Sequence, residues 1–131
     1  IPAMKLLIQL LEARNLKPLD RQSQFYAILK LGNAKQTSSV SPMGALDPYW
    51  YQDFIFSTED LEGEVHITLW KKDRITDLCV GAFIIPISAI YNAQNQALPS
   101  SWYALQKRGK QTKTLISGKF FHINRSPSLY E

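Results

Sequence analysis

The chain alternates between short apolar runs and clusters of Pro, Gly, Asn and Ser that recur at intervals of about ten residues. This spacing is typical of an all-β sandwich, because each run suits one strand and each cluster one turn. The clearest alternation covers residues 64–69, where Val65, Ile67 and Leu69 share one face and should enter the core. The pattern predicts eight strands, at residues 5–13, 25–31, 35–40, 50–57, 64–70, 78–85, 102–105 and 115–123.

The connection between the sixth and seventh predicted strands differs from the others. Residues 86–99 carry no charged side chain, and Ile87, Ile90 and Tyr91 recur at helical spacing, which predicts one short helix. The sequence therefore predicts one domain over residues 1–124, followed by a tail over residues 125–131 that leads into the rest of a longer protein.

Composition indicates the setting in which the domain works. A length of 131 residues with 45% hydrophobic residues suits a single folded domain. The longest apolar stretch, residues 78–87, is far shorter than the roughly 20 residues that a membrane-spanning helix needs. Cys79 is the single cysteine, so no internal disulfide can form, and we expect a reducing, cytoplasmic location.

The sequence offers no support for catalytic chemistry. His66 and His122 lie on different predicted strands, and no Cys or carboxylate stands at ligand spacing from them. Neither a metal site nor a catalytic triad is therefore predicted. A glycine-rich phosphate-binding loop is also missing. We predict a protein that is not an enzyme and has no cofactor.

Four groups of motifs, in sequence order, carry a family resemblance. The first joins Glu-Ala-Arg-Asn-Leu at residues 12–16 to the apolar strand at residues 25–31. The second, at residues 47–56, is similar to an Asn-Pro-x-Trp-x-x-x-Phe-x-Phe strand. The third is Leu-Trp-Lys-Lys-Asp followed by Asp and Gly within residues 69–81, and the fourth is Trp-Tyr-x-Leu with a later Gly within residues 102–118. Together these motifs resemble the C2 domain family over nearly the whole chain.

The resemblance implies an eight-stranded antiparallel Greek-key β-sandwich. Because the chain begins at the Glu-Ala-Arg-Asn-Leu strand and ends with a strand after Trp-Tyr-x-Leu, it resembles the type II permutation, in which the last strand lies beside the first. A fainter similarity links it to the C2 modules of fungal cytokinesis proteins. The large aromatic residues of the motifs are expected in the core: Trp50, Phe54, Phe56, Trp102 and Tyr103.

The same resemblance locates the remnant of a calcium site. C2 domains hold calcium with about five aspartates from two loops, because this ion prefers six to eight oxygen ligands. The corresponding positions here are Asp20 and Gln24 in the first loop and Lys71, Asp73 and Asp77 in the third. Gln24 has no charge, and the Lys71 ammonium repels calcium. We therefore predict no bound metal and no dependence on calcium.

Positive charge is predicted to gather at the same end of the sandwich. In an antiparallel sandwich the loops after strands one, three, five and seven share one end. They hold nine basic residues and four aspartates, an excess of five positive charges in a chain whose net charge is +4. The basic residues are Lys17, Arg21, Lys71, Lys72, Arg74, Lys107, Arg108, Lys110 and Lys113.

We call this end the basic tip and expect it to attract an anionic phospholipid membrane. Met43 and Leu46, in the loop after the third strand, are candidates to enter the lipid interface. A simpler alternative is that lysine-rich loops serve only solubility.

A second candidate surface follows from strand register. If the even-numbered apolar residues of the first strand face the core, its odd-numbered leucines face outward, and the last strand beside it adds two apolar side chains. This possible partner patch consists of Leu7, Leu11, Phe121 and Ile123.

Two functions therefore stay open. One is calcium-independent attachment of a larger cytoplasmic protein to the membrane surface through the basic tip. The other is a protein–protein interaction scaffold without lipid binding, with a residual, weak calcium-dependent membrane attachment as a minor third possibility. Nucleic acid is not an expected partner, because the tip lacks aromatic side chains interleaved with basic ones on a strand platform.

Overall fold

The computed structural model describes residues 4–14, 16, 23–44, 47–107 and 110–124, with side chains as far as residue 106. Strands and two short helical turns follow one another along this part of the chain. They are β1 (Met4–Arg14), β2 (Phe25–Leu31), β3 (Ala34–Thr37), β4 (Tyr49–Thr58), β5 (Glu64–Lys71), β6 (Leu78–Pro86), α1 (Ile87–Tyr91), a 3₁₀ turn (Gln94–Gln96), β7 (Ala97–Lys107) and β8 (Lys110–Asn124). The predicted all-β class and the predicted short helix are both confirmed.

The strands pair antiparallel in one ladder with the order β3-β2-β5-β6-β7-β8-β1-β4. The ladder folds into a sandwich, with β3, β2, β5 and β6 in one half and β7, β8, β1 and β4 in the other. The halves join where Ala82 of β6 pairs with Gln106 of β7. Because β8 pairs with β1 from Met4 to Arg14, the last strand adjoins the first, as the type II permutation predicts.

The two ends of the ladder also meet. Gln36 of β3 donates its Nε2 to the Ile55 carbonyl of β4 at 2.8 Å. The Ser39 N–H donates to Oε1 of Gln52 at 2.9 Å. These bonds occupy backbone groups that an open edge would otherwise present to other chains. Side chains thus bridge the two halves on this side, although β3 and β4 are not paired as strands.

A single core fills the space between the halves. The even-numbered residues of β1 from Met4 to Leu10 are buried and the odd-numbered ones half-exposed. Across the core, Val65, Ile67 and Leu69 of β5 are buried, as the alternation predicts. Further large core residues are Phe25, Leu29, Trp50, Phe54, Phe56, Ile87, Ile90 and Leu105. Burial of this apolar surface is the main stabilising contribution to the fold, at about 25 cal/mol per Å².

Trp102 departs from the predicted core. It is 39% exposed, because alternation along β7 directs Leu105 into the core and leaves Trp102 on the outer surface. Tyr103, on the inner side, stacks on Phe83 with 5.1 Å between ring centroids. β7 also begins at Ala97 rather than at residue 102. Its early residues pair with β8, and local sequence carries no sign of that pairing.

β3 is shorter than predicted and ends at Thr37 rather than at residue 40. Beyond it, serine hydroxyls continue the contact with β2. The Ser38 hydroxyl accepts the Ala27 N–H at 2.8 Å, and the Ser41 hydroxyl accepts the Phe25 N–H at 2.9 Å. The backbone N–H groups of Ser38 and Ser41 also donate to the Ala27 and Phe25 carbonyls, so side-chain and backbone hydrogen bonds together hold the chain to β2 where it turns toward the basic tip.

Candidate functional site

The basic tip lies at the end toward which β1, β3, β5 and β7 run. Lys71 is half-exposed there, and Lys72 and Arg74 are exposed. Lys107 and Lys110 pair through their backbones at the end of the β7–β8 hairpin, and the backbone of Lys113 follows in β8. Some predicted site residues lie outside the described part of the chain, namely Lys17, Asp20, Arg21, Leu46 and Arg108.

Asp77 closes the loop at residues 72–77. Its Oδ1 accepts the backbone N–H of Asp73 at 3.1 Å, and its Oδ2 accepts the Tyr26 hydroxyl at 2.6 Å. The Asp73 carboxylate accepts the N–H of Arg74 at 2.7 Å. Both carboxylates are therefore engaged in local hydrogen bonds, and Tyr26 fastens the loop to β2.

The Tyr26–Asp77 bond shifts the pKa values of both groups. It is the largest reason why the pKa of Tyr26 is raised to about 12, and burial and the Asp77 charge act in the same direction. It is also the largest reason why the pKa of Asp77 is lowered, followed by the hydrogen bond from the Asp73 backbone. The Lys72 charge contributes too, and its ammonium lies 5.9 Å from the centroid of the Tyr26 ring. At neutral pH the bond therefore joins a protonated phenol to an ionised carboxylate, which is a charge-assisted contact.

Gln24 connects the two described loops of the tip. Its backbone carbonyl accepts the Lys72 N–H at 2.9 Å, and its side-chain Nε2 donates to the Ser41 backbone carbonyl at 3.1 Å. Ser41 is also bonded to β2, because its N–H donates to the Phe25 carbonyl at 2.7 Å. An aspartate at position 24 would have no side-chain donor for Ser41. The residue that removes a charge from the remnant calcium site thus also holds a loop.

The remnant calcium positions do not assemble a metal site within the described residues. No group of three or more His, Cys, Asp or Glu side chains there could hold a metal ion. Asp73 and Asp77 accept hydrogen bonds within the loop, Asp77 also accepts one from Tyr26, and Gln24 directs a donor to Ser41. Lys71 has only hydrogen-bond donors and offers no oxygen ligand to a calcium ion.

Exposed apolar side chains accompany the cations at the tip. Ile75, in the middle of the loop at residues 72–77, is 96% exposed, and Met43 in the neighbouring loop is 63% exposed. Val40 and Leu78, at the ends of these loops, are exposed as well. Single exposed apolar residues are ordinary, but four at one end of a domain mark a candidate contact surface.

Sequence reasoning identified Met43 but missed Ile75 and Tyr26. The signal for Ile75 is present, since it is the single apolar residue between Lys71 and Asp77. Alternation after Phe25 indicates that Tyr26 faces outward. It cannot reveal that the hydroxyl bonds a carboxylate 51 residues later.

Two residues of the predicted partner patch, Leu7 and Leu11, have described side chains, and both belong to β1. Leu7 and Leu11 are half-buried, and Leu7 is in register with the exposed Ile55 of β4. Phe121 and Ile123 are in register with Leu7 and Lys5, and their side chains lie outside the described part.

Nearer the tip, β1, β4 and β7 carry a cluster that the sequence did not indicate. Tyr51 donates its hydroxyl to Glu12 at 3.2 Å, and Arg14 donates Nε to Glu12 at 2.9 Å. The Arg14 guanidinium carbon lies 4.7 Å from the centroid of the Trp102 ring. The ring centroids of Tyr49 and Tyr51 are 6.2 Å apart. Tyr51 has a left-handed φ of 46°, uncommon for a residue other than glycine, at a β-bulge between β1 and β4. We call these five residues the aromatic cluster.

Comparison with known proteins gives a match to the C2 domain family model over residues 4–105. A C2 and GRAM domain-containing protein of Arabidopsis thaliana is 34% identical over 113 residues, which cover 84% of this chain and 11% of that protein. FT-interacting protein 7 of Oryza sativa subsp. japonica is 32% identical over 126 residues, which cover 88% of this chain and 16% of that protein. The chain thus spans 11% to 16% of the length of these relatives.

Solved structures give the same architecture. A C2 domain of plant Extended Synaptotagmin 1 has a TM-score of 0.81 at 13% identity, and the match covers 96% of this chain and 98% of that one. Human GIVD cytosolic phospholipase A2 has a TM-score of 0.78 at 20% identity, over 95% of this chain and 17% of that one. At these identities the likeness shows the fold.

Proposed function

This chain belongs to the C2 domain family, and on that premise we propose that it is a non-catalytic module that attaches a larger protein to anionic phospholipid membranes. The attachment uses the basic tip, needs no calcium, and makes the parent protein peripheral to a cytoplasmic membrane surface. The observation that carries this proposal is Ile75, which is 96% exposed in a loop that also presents Lys72 and Arg74. Within the described residues, no helix is long and apolar enough to cross a membrane.

The energetics of this arrangement favour a reversible attachment. Burying an isoleucine side chain contributes about 1.5 to 3 kcal/mol, and each Lys or Arg near an anionic leaflet contributes about 1 kcal/mol. Ile75 with Lys71, Lys72 and Arg74 therefore supplies on the order of 5 kcal/mol before screening and ordering costs. Met43 adds apolar area in the neighbouring loop.

Calcium independence is supported by the chemistry of the remnant site. Calcium takes six to eight oxygen ligands, which C2 loops supply largely from carboxylates. Here Lys71 already supplies positive charge, and Asp73 and Asp77 accept hydrogen bonds from within the domain. The tip is therefore suited to direct electrostatic attraction.

Vesicle sedimentation tests the proposal. The domain is incubated in EDTA with vesicles of phosphatidylserine and phosphatidylcholine, and in parallel with vesicles of phosphatidylcholine alone. We expect sedimentation with the anionic vesicles and little with the neutral ones. A domain that stays in the supernatant with both, even at low salt, contradicts membrane attachment by this tip.

A second candidate function, protein–protein interaction, is favoured by the aromatic cluster. Tyr49 and Tyr51 are exposed, and Arg14 and Trp102 form a cation–π contact on the same face. Tyr, Trp and Arg are the residues that most often dominate protein interfaces. One relative, FT-interacting protein 7, is named for an interaction with FT.

The two candidates respond differently to substitution. Replacing Tyr51 and Trp102 with Ala should leave vesicle sedimentation unchanged, because neither residue lies in the tip loops. Under the scaffold alternative, the same change should weaken capture of a protein partner, and Lys72→Glu should have a smaller effect. Loss of sedimentation in the aromatic variant would show that the membrane contact is not confined to the tip.

A further inference from the structure

We propose that Gln24 and Tyr26 hold two of the tip loops, at residues 38–44 and 72–77, in one arrangement without any bound ion, so that these loops are ordered before they meet a membrane. We call this pair the β2 clamp. Its consequence at the membrane rests on the proposed function, whereas the ordering of the loops does not. Hydrogen bonds from these two residues reach both of the described tip loops.

Gln24 and Tyr26 are two residues apart at the start of β2, so their side chains project to the same side of the strand. Both are half-buried. Tyr26 bonds Asp77 at 2.6 Å, and Gln24 bonds Ser41 with its side chain at 3.1 Å and Lys72 with its carbonyl at 2.9 Å. One short stretch of β2 thus contacts both described loops of the tip.

The loop at residues 72–77 is held at both of its ends. The Lys72 backbone N–H donates to the Gln24 backbone carbonyl. This bond extends the β2–β5 ladder by one residue beyond the pair Phe25 and Lys71. Asp77 is fixed to Tyr26 and closes back on the Asp73 N–H. Only residues 73–76 lie between the two attachments, and the exposed Ile75 is among them. Fixing this segment in advance reduces the conformational entropy that membrane binding must remove.

Both side chains of the clamp act as hydrogen-bond donors to the tip loops, and these contacts require no ion. The Gln24 amide and the Tyr26 hydroxyl both donate, and their protons point toward Ser41 and Asp77. The clamp therefore joins these loops to β2 through hydrogen bonds within the protein.

The test removes one donor at a time without changing net charge. Tyr26→Phe deletes the hydroxyl, and Gln24→Met replaces the amide with an unbranched side chain of similar length. Matched controls exist elsewhere in the domain. Tyr51→Phe deletes a phenol that also bonds a carboxylate, and Gln36→Met deletes an amide that also bonds a backbone carbonyl. Hydrogen–deuterium exchange in EDTA reports loop order, thermal melting reports folding, and sedimentation with phosphatidylserine-containing vesicles reports attachment.

In Tyr26→Phe we expect amides of residues 72–77 to exchange about fivefold faster than in the parent domain, the effect of one lost hydrogen bond. In Gln24→Met the acceleration should appear at residues 38–44. Vesicle affinity should fall about two- to fivefold in both. The controls should match the parent domain in tip exchange and in vesicle affinity.

Unchanged exchange of the tip loops in both clamp variants would overturn the proposal. Faster exchange with unchanged vesicle affinity would overturn its membrane consequence. If the parent domain binds no vesicles, the proposed function fails, but the exchange comparison still decides whether the clamp orders the loops. If Tyr26→Phe melts far below its control, Asp77→Asn replaces it in the exchange comparison, because it weakens the same contact from the acceptor side. It does not replace it in the vesicle comparison, because it changes the net charge of the tip.

Discussion

The Tyr26 hydroxyl has one acceptor, Asp77, and the titration of this pair defines the pH range in which the tip loop is held. Tyr26 has a raised pKa, so its contribution is fully present below the usual value of 10.0 and is lost as pH rises toward about 12. Asp77 has a lowered pKa, so its contribution is present above the usual value of 3.8 and is lost as pH falls below it. The bond is therefore intact throughout the physiological range.

The first prediction is that Tyr26→Phe raises the pKa of Asp77 toward 3.8, because the largest cause of its lowering is removed. A carboxyl titration followed by NMR measures this directly. Tyr51→Phe, at the other phenol–carboxylate contact, should leave Asp77 unchanged. An Asp77 titration identical in Tyr26→Phe and the parent domain would show that the hydrogen bond is not formed in solution.

Ile75 provides the second prediction at this scale. Ile75→Ser should weaken attachment to anionic vesicles by about tenfold or more, because the transfer of one isoleucine side chain out of water is lost. Its melting temperature should stay that of the parent domain, since the side chain is 96% exposed. Ile55→Ser is the matched control, because Ile55 is also exposed but lies on β4, outside the tip loops. Equal vesicle affinity of the two variants would remove Ile75 from the membrane contact.

The sequence predicts the charges of the candidate-site residues but not their hydrogen-bond partners. The lost charge at Gln24 and the added charge at Lys71 are visible in the chain itself. The Gln24 donor bond is not, because its acceptor is the backbone carbonyl of Ser41, whose position depends on the path of a loop 17 residues away. A hydrogen bond to a backbone carbonyl cannot be predicted from residue types, because every residue has such a carbonyl.

At the scale of elements, the alternation of apolar and polar residues along β1 predicts which residues are buried only as far as Leu10. Its even-numbered residues are buried up to Leu10, as predicted. A β-bulge between Leu10 and Glu12 then transfers burial to the odd-numbered Ala13. Leu11 stands at that irregularity and is half-buried rather than fully outward. A bulge depends on the neighbouring strands, so alternation within one strand does not predict it.

The third prediction concerns this register. Leu7→Ser and Leu11→Ser should each lower the free energy of unfolding by about 1 kcal/mol or less, because half-buried side chains lose little on truncation. Leu69→Ala should lower it by about 2 to 5 kcal/mol, because Leu69 is fully buried. Urea denaturation of the three variants measures the difference. Comparable losses at all three would show that the outer face of β1 is packed, and the partner patch would then be withdrawn.

At the scale of the whole molecule, the elements follow from sequence better than their pairing does. The β2 and β5 boundaries match the predicted strands to within a residue, because their alternation is strong and their ends are marked by turn residues. β7 and β3 differ from their predicted limits, because those limits depend on pairing with the neighbouring strands β8 and β2.

The charges of the domain are also separated over the whole molecule. Glu59, Asp60, Glu62 and Glu64 lie around the β4–β5 connection, at the end opposite the basic tip.

The fourth prediction is that millimolar calcium does not raise the melting temperature of the domain, since a ligand that binds the native state must stabilise it. The double variant Gln24→Asp with Lys71→Asp should gain a calcium-dependent rise. The same variant should melt lower than the parent domain in EDTA, because the aspartate introduced in place of Gln24 has no donor for Ser41. A calcium-dependent rise in the unmodified domain would contradict calcium independence.

The last prediction distinguishes the position of charge from its amount. Lys71→Glu with Lys72→Glu, and separately Lys107→Glu with Arg108→Glu, should each weaken attachment to anionic vesicles without lowering thermal stability. The control is Lys30→Glu with Lys35→Glu, which changes the net charge equally at a register pair of exposed lysines on β2 and β3, at the end away from the tip. It should bind more tightly than either tip variant.

Salt dependence completes this test, because exposed charges are screened once the Debye length falls to about 8 Å at physiological ionic strength. The vesicle affinity of the parent domain should fall as salt is raised. In both tip variants affinity should depend less steeply on salt concentration, since each retains fewer contacts to lipid phosphates. The control pair should keep the salt dependence of the parent domain. If all three variants lose affinity equally, the membrane responds to overall charge and the tip has no special role. If only the control loses affinity, the sheet face of β2 and β3, and not the basic tip, is the surface that meets the lipid.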